Sequence, residues 1–273
     1  MATGPGRPVT GTVTSADGTT IVFDRDGTGP VVVLVHGAFT GRSHPTLAEV
    51  ARALSPWFTV VNYDRRGRGD SGDTSPYAVR REIEDLAAVI DAAGSPAMVF
   101  GGSSGAALAL EAAARLPGIA RLALWEPPYH VGAGAPALPR DFAARLTALV
   151  DAGAPGDAVE LFMVRAAEVP AGAVAAMRAD PSWTEMERLA RTLAYEAEVM
   201  GPGNALPART AASIGRPALV LNGALSPAWM RDAGTAVAQT IPGATHRLLD
   251  NQAHDVSAQA LTPELLEFFA RQQ

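Results

Sequence analysis

The chain has 273 residues, which is enough for one large α/β domain or for a domain that carries an insertion. Its net charge of −6 at pH 7, without a basic cluster, argues against a nucleic-acid partner. The absence of cysteine excludes disulfide bonds, a cysteine nucleophile and cysteine-bound metals, and the 22 Lys and Arg residues are all arginine, which excludes a Schiff-base lysine.

The first hundred residues alternate between short apolar runs and amphipathic segments. A β-hairpin is predicted for 9–14 and 20–24, around a turn that contains Gly18. The run 31–35 is continuously apolar, as is typical of a strand buried on both faces of a sheet, and 59–63 is predicted to be another buried strand. Helices are predicted at 45–54 and 80–93.

A tight turn is predicted between an apolar strand at 97–100 and an Ala/Leu-rich helix at 106–116. The turn reads Gly-Gly-Ser-Ser-Gly over 101–105, and Gly-x-Ser-x-Gly in this context is typical of a nucleophile elbow. The elbow would expose the Ser103 hydroxyl at its tip and direct the amide of Ser104 towards the group that Ser103 attacks. An ordinary Gly/Ser-rich loop is the alternative, and the flanking strand and helix argue against it.

A strand is predicted at 119–125, and after it no convincing strand pattern occurs until about residue 213. Helical patterns separated by Gly and Pro fill this interval, at 141–152, 157–167, 171–178 and 184–200. Alternation then resumes with strands at 218–221 and 247–249 and helices at 227–240 and 263–272.

This order of elements predicts an α/β fold, with a mostly parallel, doubly wound sheet and an inserted all-helical cap domain. We place the first part of the core at 1–126, the cap at 127–213 and the second part of the core at 214–273. No apolar run is long enough to span a membrane, and the short Gly/Pro-rich segment 1–8 lacks the pattern of a signal peptide. We therefore expect a cytoplasmic protein without a membrane partner.

Four segments together resemble the α/β-hydrolase superfamily, in its serine hydrolase branch with a helical cap. They are His-Gly-Ala-Phe at 36–39, the segment 64–71 after the next strand, the elbow, and a late His254 between a strand and a helix. The resemblance covers nearly all of the chain outside the cap. Because a serine, an acid and a histidine occur in that chain order in this family, the resemblance implies Ser103 as nucleophile and His254 as general base.

The resemblance also implies two backbone donors for the negative charge that develops on the substrate oxygen. One is the N–H of Ser104. The other comes from the turn after His36 and Gly37. Ala38 and Phe39 remain alternatives there, because the donor is a backbone N–H and the identity of the side chain does not distinguish them. The family usually gives the histidine of this turn a structural role.

The acid that should orient His254 is missing from its common position. In the family it lies in the loop after the strand at 218–221, where this chain has Ser226, and a serine cannot supply the charge that stabilises an imidazolium. Glu126 ends the 119–125 strand beside the nucleophile strand, and the carboxyl ends of adjacent parallel strands converge on one crevice. Some α/β-hydrolases, including a branch of the haloalkane dehalogenases, take their acid from this strand end. The rivals of Glu126 are Asp250, Asp255 and Asp232.

Four further residues are candidates for contact with substrate: His44, Trp125, Phe162 and Trp183. For the two aromatic residues of the cap, packing within the cap core is the alternative. The sequence shows no metal-ligand spacing and no dinucleotide fingerprint, so we expect neither a metal nor a cofactor.

The expected function is that of a carboxylic ester hydrolase, a monomer or homodimer that acts on a small-molecule substrate. It would cleave an ester, thioester or lactone of a small, largely apolar compound through an acyl-enzyme on Ser103. Epoxide hydrolases and haloalkane dehalogenases are disfavoured because they use aspartate at this position. The alternatives are a non-hydrolytic biosynthetic enzyme, such as a cyclase or lyase, that uses the same pocket, and a receptor-like protein without turnover.

Overall fold

Eight strands form a single sheet in the computed structural model of the protein, which describes residues 8–271. The strands are β1 (Val9–Thr14), β2 (Thr20–Asp26), β3 (Val31–Val35), β4 (Thr59–Tyr63), β5 (Ala97–Gly102), β6 (Ile119–Trp125), β7 (Ala218–Gly223) and β8 (Thr245–Leu249). Their order across the sheet is β1-β2-β4-β3-β5-β6-β7-β8. The β1–β2 and β2–β4 pairs are antiparallel and the others are parallel, as predicted for a mostly parallel sheet.

Eleven α-helices are present within the described residues, together with a 3-10 turn at Pro202–Asn204. The helices are α1 (Pro45–Leu54), α2 (Val79–Ala93), α3 (Ser104–Ala113), α4 (Phe142–Asp151), α5 (Pro155–Arg165), α6 (Ala171–Arg178), α7 (Trp183–Arg188), α8 (Ala190–Met200), α9 (Ala208–Ala212), α10 (Ala228–Thr240) and α11 (Ala258–Ala270). Residues 1–7, where we predicted no signal peptide, and Gln272, at the end of the last predicted helix, lie outside the described residues. No helix within 8–271 has the length and the apolar character that crossing a membrane requires.

Helices cover both faces of the sheet, which confirms the doubly wound arrangement. Val31, Val33 and Val35 of β3 belong to a core shared with α2, α3 and α10, whereas Val32 and Leu34 belong to the opposite core, shared with α1 and α11. This division follows from the period of two along a strand. Burial of each such side chain contributes about 1.5–3 kcal/mol, so the centre of the sheet is a rigid platform for the loops at its carboxyl edge.

Between β6 and β7 the described chain forms helices only, and we call this region, α4 to α9, the helical insertion. It has a core of its own that includes Phe142, Leu146 and Trp183. Its helix α8 packs on α4 and also contacts α2 and α3 beside the sheet. The helical character agrees with the prediction for 127–213, whereas the exact domain boundaries stay a prediction.

Two predicted helices differ substantially from those in the structure, while other predicted ends are displaced by one to three residues. The predicted helix 184–200 is divided into α7 and α8 at Leu189, which has a φ of −94° and a ψ of −2°. This is a small departure from helical values, and no Gly or Pro in the sequence marks the break. The last helix begins at Ala258 instead of Pro263 because Ser257 caps it, accepting a hydrogen bond from the Ala260 amide at 3.2 Å. Pro263 therefore lies inside α11, although proline is favoured in the first turn of a helix.

Candidate active site

The turn between β5 and α3 has the geometry of a nucleophile elbow. Ser103 has a φ of 55° and a ψ of −129°, a backbone conformation that costs about 1–3 kcal/mol in a residue with a side chain. The turn is held by hydrogen bonds from the Ser103 amide to the Trp125 carbonyl and from the Ala106 amide to the Ser103 carbonyl, both at 2.8 Å. A Cβ on Gly105 would lie 2.5 Å from the His36 carbonyl oxygen, so the packing of the elbow against the end of β3 requires glycine there.

A carboxylate–imidazole pair lies beside the elbow. Oε2 of Glu126 is 2.7 Å from Nδ1 of His254, and Oε1 accepts a hydrogen bond of 2.8 Å from the Gly223 amide. Glu126 is fully buried, whereas 42% of the His254 side chain is exposed. A carboxylate on Nδ1 fixes the tautomer in which Nε2 is free to accept a proton.

Sheet register explains how Glu126 reaches this position. Trp125, its chain neighbour, pairs with Gly102 of the nucleophile strand on one side and with Leu221 of β7 on the other. Glu126 therefore follows directly at the carboxyl edge, between the elbow and the end of β7, and its amide donates to the Leu221 carbonyl at 2.9 Å. Its φ of 45° turns the chain away from the sheet at this point.

Ser226, which occupies the usual position of the acid, is buried at 1% exposure. Within residues 8–271 its hydroxyl has no hydrogen-bond partner. The Leu225 amide donates to the Gln252 carbonyl at 2.9 Å, so this turn lies against the loop that carries His254. In the same part of the chain, no hydrogen bond joins Asp250, Asp255 or Asp232 to the His254 ring.

The structure places Trp125 in a supporting position. Only 3% of this side chain is exposed, and its Nε1–H donates to the His254 carbonyl at 3.0 Å. Burial leaves little of the indole available to a substrate, so the predicted contact with substrate has no support here, and the indole instead holds the histidine loop. Sequence reasoning missed this role because a backbone carbonyl acceptor leaves no residue-type signal.

Three backbone amides in the two turns beside the candidate nucleophile are candidate oxyanion donors. Among residues 8–271, the N–H groups of Ala38, Phe39 and Ser104 donate no hydrogen bond. A Cβ on Gly37 would lie 2.9 Å from the Ser103 Cβ, so the turn after β3 approaches the nucleophile closely. Unpartnered donors at a helix N-terminus and in an adjacent tight turn are suited to bind an oxyanion.

The other four histidines lack a carboxylate partner in the described residues. His36 is fully buried, its Nε2 lies 2.5 Å from the Asn62 side-chain oxygen, and burial lowers its pKa to about 3, so it is neutral near pH 7. Burial also lowers the pKa of His44, which precedes α1 and lies near Asp255. His246 bonds Asn222 at 2.9 Å, and the ring of His130 packs against Trp229.

The structure brings Phe162 towards the site and places Trp183 elsewhere. The ring of Phe162 contacts that of Phe39, in the turn after β3, edge to face at 5.7 Å between centroids. Trp183 is 4% exposed, belongs to the core of the helical insertion and donates to Glu187 at 3.0 Å. These contacts give Trp183 a packing role, and its predicted contact with substrate has no support in them.

Two cavities lie away from the candidate nucleophile. One of about 340 Å³ in the helical insertion is lined by Leu138, Phe142 and Leu161, and one of about 360 Å³ lies beside Arg42. Neither includes Ser103. Within residues 8–271, no three His, Asp or Glu side chains are grouped so that they could hold a metal ion.

The sequence profile described as "Alpha/beta hydrolase family" matches residues 32–260 of this chain. A crystal structure of an alpha/beta hydrolase from Sphaerobacter thermophilus DSM 20745 is 53% identical, with a TM-score of 0.88 over 95% of this chain and 100% of that one. The enol-lactonase from Burkholderia xenovorans LB400 is 23% identical, with a TM-score of 0.70 over 95% of this chain and 100% of that one, and shows the fold alone.

One curated relative has a similar segment. The protein named "Uncharacterized hydrolase YraK" from Bacillus subtilis (strain 168) is 36% identical over 104 residues. This match covers 37% of the present chain and 38% of the relative. It therefore spans well under half the length of that protein.

Proposed function

Because the chain belongs to the alpha/beta hydrolase family, we propose that it is a serine hydrolase of esters, thioesters or lactones. The observation that carries the proposal is the hydrogen-bonded pair of His254 and Glu126, 2.7 Å apart, at the carboxyl edge next to Ser103. A base that is oriented by a buried carboxylate is what a serine hydroxyl needs to become nucleophilic near neutral pH.

In the proposed acylation step, Ser103 Oγ attacks the substrate carbonyl carbon while His254 Nε2 accepts the hydroxyl proton. The carbonyl oxygen becomes an oxyanion that accepts hydrogen bonds from the Ser104 amide and from the amide of Ala38 or Phe39. Glu126 stabilises the imidazolium through Nδ1–H. Collapse of the intermediate expels the alcohol, thiol or lactone hydroxyl, which takes the proton from His254.

Deacylation repeats these roles with water. Nε2 of His254 removes a proton from a water molecule, whose oxygen attacks the acyl carbon, and the same amides hold the second oxyanion. Breakage of the acyl–oxygen bond returns the proton to Ser103 and releases the acid. Within residues 8–271 no hydrogen bond joins Ser103 to His254, and catalytic hydrogen bonds of this kind often tighten only when substrate binds.

Apolar contacts support a small, largely apolar substrate. In this proposal the helical insertion acts as a cap, and Phe162 together with Phe39 forms the apolar wall nearest the oxyanion donors. Several side chains of the insertion that pack around its core are only partly buried, among them Leu161 and Met163. Such surfaces favour acyl or alcohol groups without charge.

Labelling with a fluorophosphonate tests the proposal, because the reagent needs an activated serine. We expect one adduct, located on Ser103 by mass spectrometry, and turnover of p-nitrophenyl esters by the same preparation. Ser103→Ala should lose both, and Ser104→Ala should keep the adduct. No adduct on Ser103 would sink the proposal, while an adduct without ester turnover would favour a cyclase, a lyase or a receptor-like protein.

A further inference from the structure

Four charged side chains are buried between the sheet and the helical insertion. Arg65 and Arg68 come from the loop after β4, Glu82 from α2 and Glu196 from α8, and each is at most 2% exposed. Two positive and two negative charges balance. Buried ions are tolerated only when they are paired and hydrogen-bonded. Removal of one of these side chains therefore leaves an uncompensated buried charge, which destabilises the folded state.

Glu196 joins the two arginines. Arg65 binds Glu82 through two hydrogen bonds of 2.7 Å and donates to Oε2 of Glu196 at 3.0 Å. Arg68 contacts the other oxygen, Oε1 of Glu196. A single carboxylate of the helical insertion thus links both guanidinium groups to α8.

The same guanidinium groups hold the turn that contains the candidate oxyanion donors. Arg65 donates to the His36 carbonyl at 3.0 Å, and Arg68 donates to the carbonyl of Gly37 and, at 3.1 Å, to that of Thr40. In a trans peptide the C=O and the N–H point in opposite directions. An arginine that holds the Gly37 carbonyl therefore also fixes the direction of the next amide, that of Ala38.

We propose that Glu196 is a positioning residue for the oxyanion hole and acts through Arg68 on the peptide between Gly37 and Ala38. This inference rests on the proposed serine hydrolase function. Without the carboxylate, Arg68 loses its counter-charge and its fixed orientation, and the Gly37 carbonyl loses a donor. Since Glu196 belongs to α8, the helical insertion would act on the geometry of the hole through Arg68.

The variant Glu196→Gln keeps the size of the side chain and removes its charge. We expect kcat for p-nitrophenyl esters to fall about 10- to 100-fold, which is less than the 10²- to 10³-fold loss when an oxyanion donor is removed. KM should change less than about threefold, because a misplaced donor weakens binding of the transition state more than binding of the ester. Glu198→Gln, at an exposed position of the same helix, is the matched control and should behave as wild type. An unchanged kcat in Glu196→Gln would overturn the inference.

A second variant separates positioning from charge balance. Arg68→Met combined with Glu196→Gln removes one charge of each sign, so the melting temperature should recover relative to Glu196→Gln alone. The Gly37 carbonyl still lacks its donor, so kcat should stay low. Recovery of kcat together with the melting temperature would mean that Glu196 only balances charge, and the inference would be wrong.

Amide NMR resonances of residues 37–40 provide a readout that needs no turnover. They should shift in both variants that lack Glu196 and stay unchanged in Glu198→Gln. If wild-type Ser103 takes no fluorophosphonate, the proposed function fails, and the resonances still report whether Glu196 holds the turn. If Ser103 is labelled while neither the resonances nor kcat respond to Glu196→Gln, the positioning role alone fails.

Discussion

Replacement of Glu126 by glutamine changes one atom in a group whose two oxygens are both engaged. One oxygen accepts from the Gly223 amide at 2.8 Å and the other faces His254 Nδ1 at 2.7 Å, in a fully buried position. If the glutamine oxygen keeps the bond to Gly223, its NH2 faces Nδ1 and requires Nδ1 to be the acceptor. The proton then sits on Nε2, where it blocks removal of the proton from Ser103.

In the opposite orientation of the glutamine, its oxygen faces His254 Nδ1 and the proton returns to Nδ1, but the hydrogen bond to Gly223 is lost. The glutamine NH2 then meets the Gly223 amide, donor against donor, which costs about 1–3 kcal/mol for the buried unpaired group. In either orientation the charge that stabilises the imidazolium is gone. We expect kcat to fall on the order of 10³- to 10⁴-fold, as for other triad acids, which corresponds to about 4–5.5 kcal/mol of activation free energy.

The assay is steady-state hydrolysis of a p-nitrophenyl ester, with the melting temperature measured on the same samples. Asp250→Asn is the matched control, since it makes the same chemical change close to the histidine loop and should retain nearly full activity. A folded Glu126→Gln protein with kcat within about tenfold of wild type would refute the assignment of Glu126. Equal losses in Asp250→Asn would move the role of the acid to that residue.

Three further outcomes follow from the structure. Burial lowers the pKa of His36 to about 3 in the folded protein, against 6.5 when unfolded, so the unfolded state binds more protons between these two pH values. The free energy of unfolding should therefore fall as the pH drops from 6.5 to 3, by up to about 1.4 kcal/mol per pH unit. Urea titrations at several pH values should show a smaller slope for His36→Gln. Trp125→Phe should lower kcat about 3- to 30-fold by releasing the His254 loop, while Trp57→Phe, at a 57% exposed position, should leave kcat unchanged. Gly105→Ala should abolish soluble expression, because its Cβ would lie 2.5 Å from two carbonyl oxygens, and the yield of soluble protein is the readout. Gly172→Ala in α6, with open space around it, should raise stability by up to about 1 kcal/mol, as measured by thermal unfolding.

Local pattern was sufficient for the elements at the centre of the fold. The strands β3, β4 and β6 and the helix α1 have the predicted bounds, because each combines a strong apolar pattern with clear flanking turns. The elbow was predictable for a similar reason. Gly101 and Gly105 mark the places where a side chain would strike the neighbouring backbone, and that steric requirement is visible in the sequence.

Residue type alone left the acid undecided. The sequence offered Glu126 and three aspartates, and only the register of β6 between β5 and β7, with the distance to Nδ1 of His254, distinguishes them. Residue type alone was also insufficient for Trp183, which we predicted to contact substrate and which packs in the core of the helical insertion. An aromatic residue in an amphipathic helix serves equally well in a core or in a pocket, and only packing decides which.

Backbone sterics and apolar periodicity along the chain were sufficient to predict the order of strands and helices, the helical insertion, the tight turn around Ser103 and a histidine in a late loop. Three contacts became visible only in the folded molecule: Glu126 with His254, Trp125 with the histidine loop, and Glu196 with the arginines behind the Gly37 carbonyl. Those contacts join residues more than a hundred positions apart, often through backbone carbonyls, and such pairings leave no signal in a single chain.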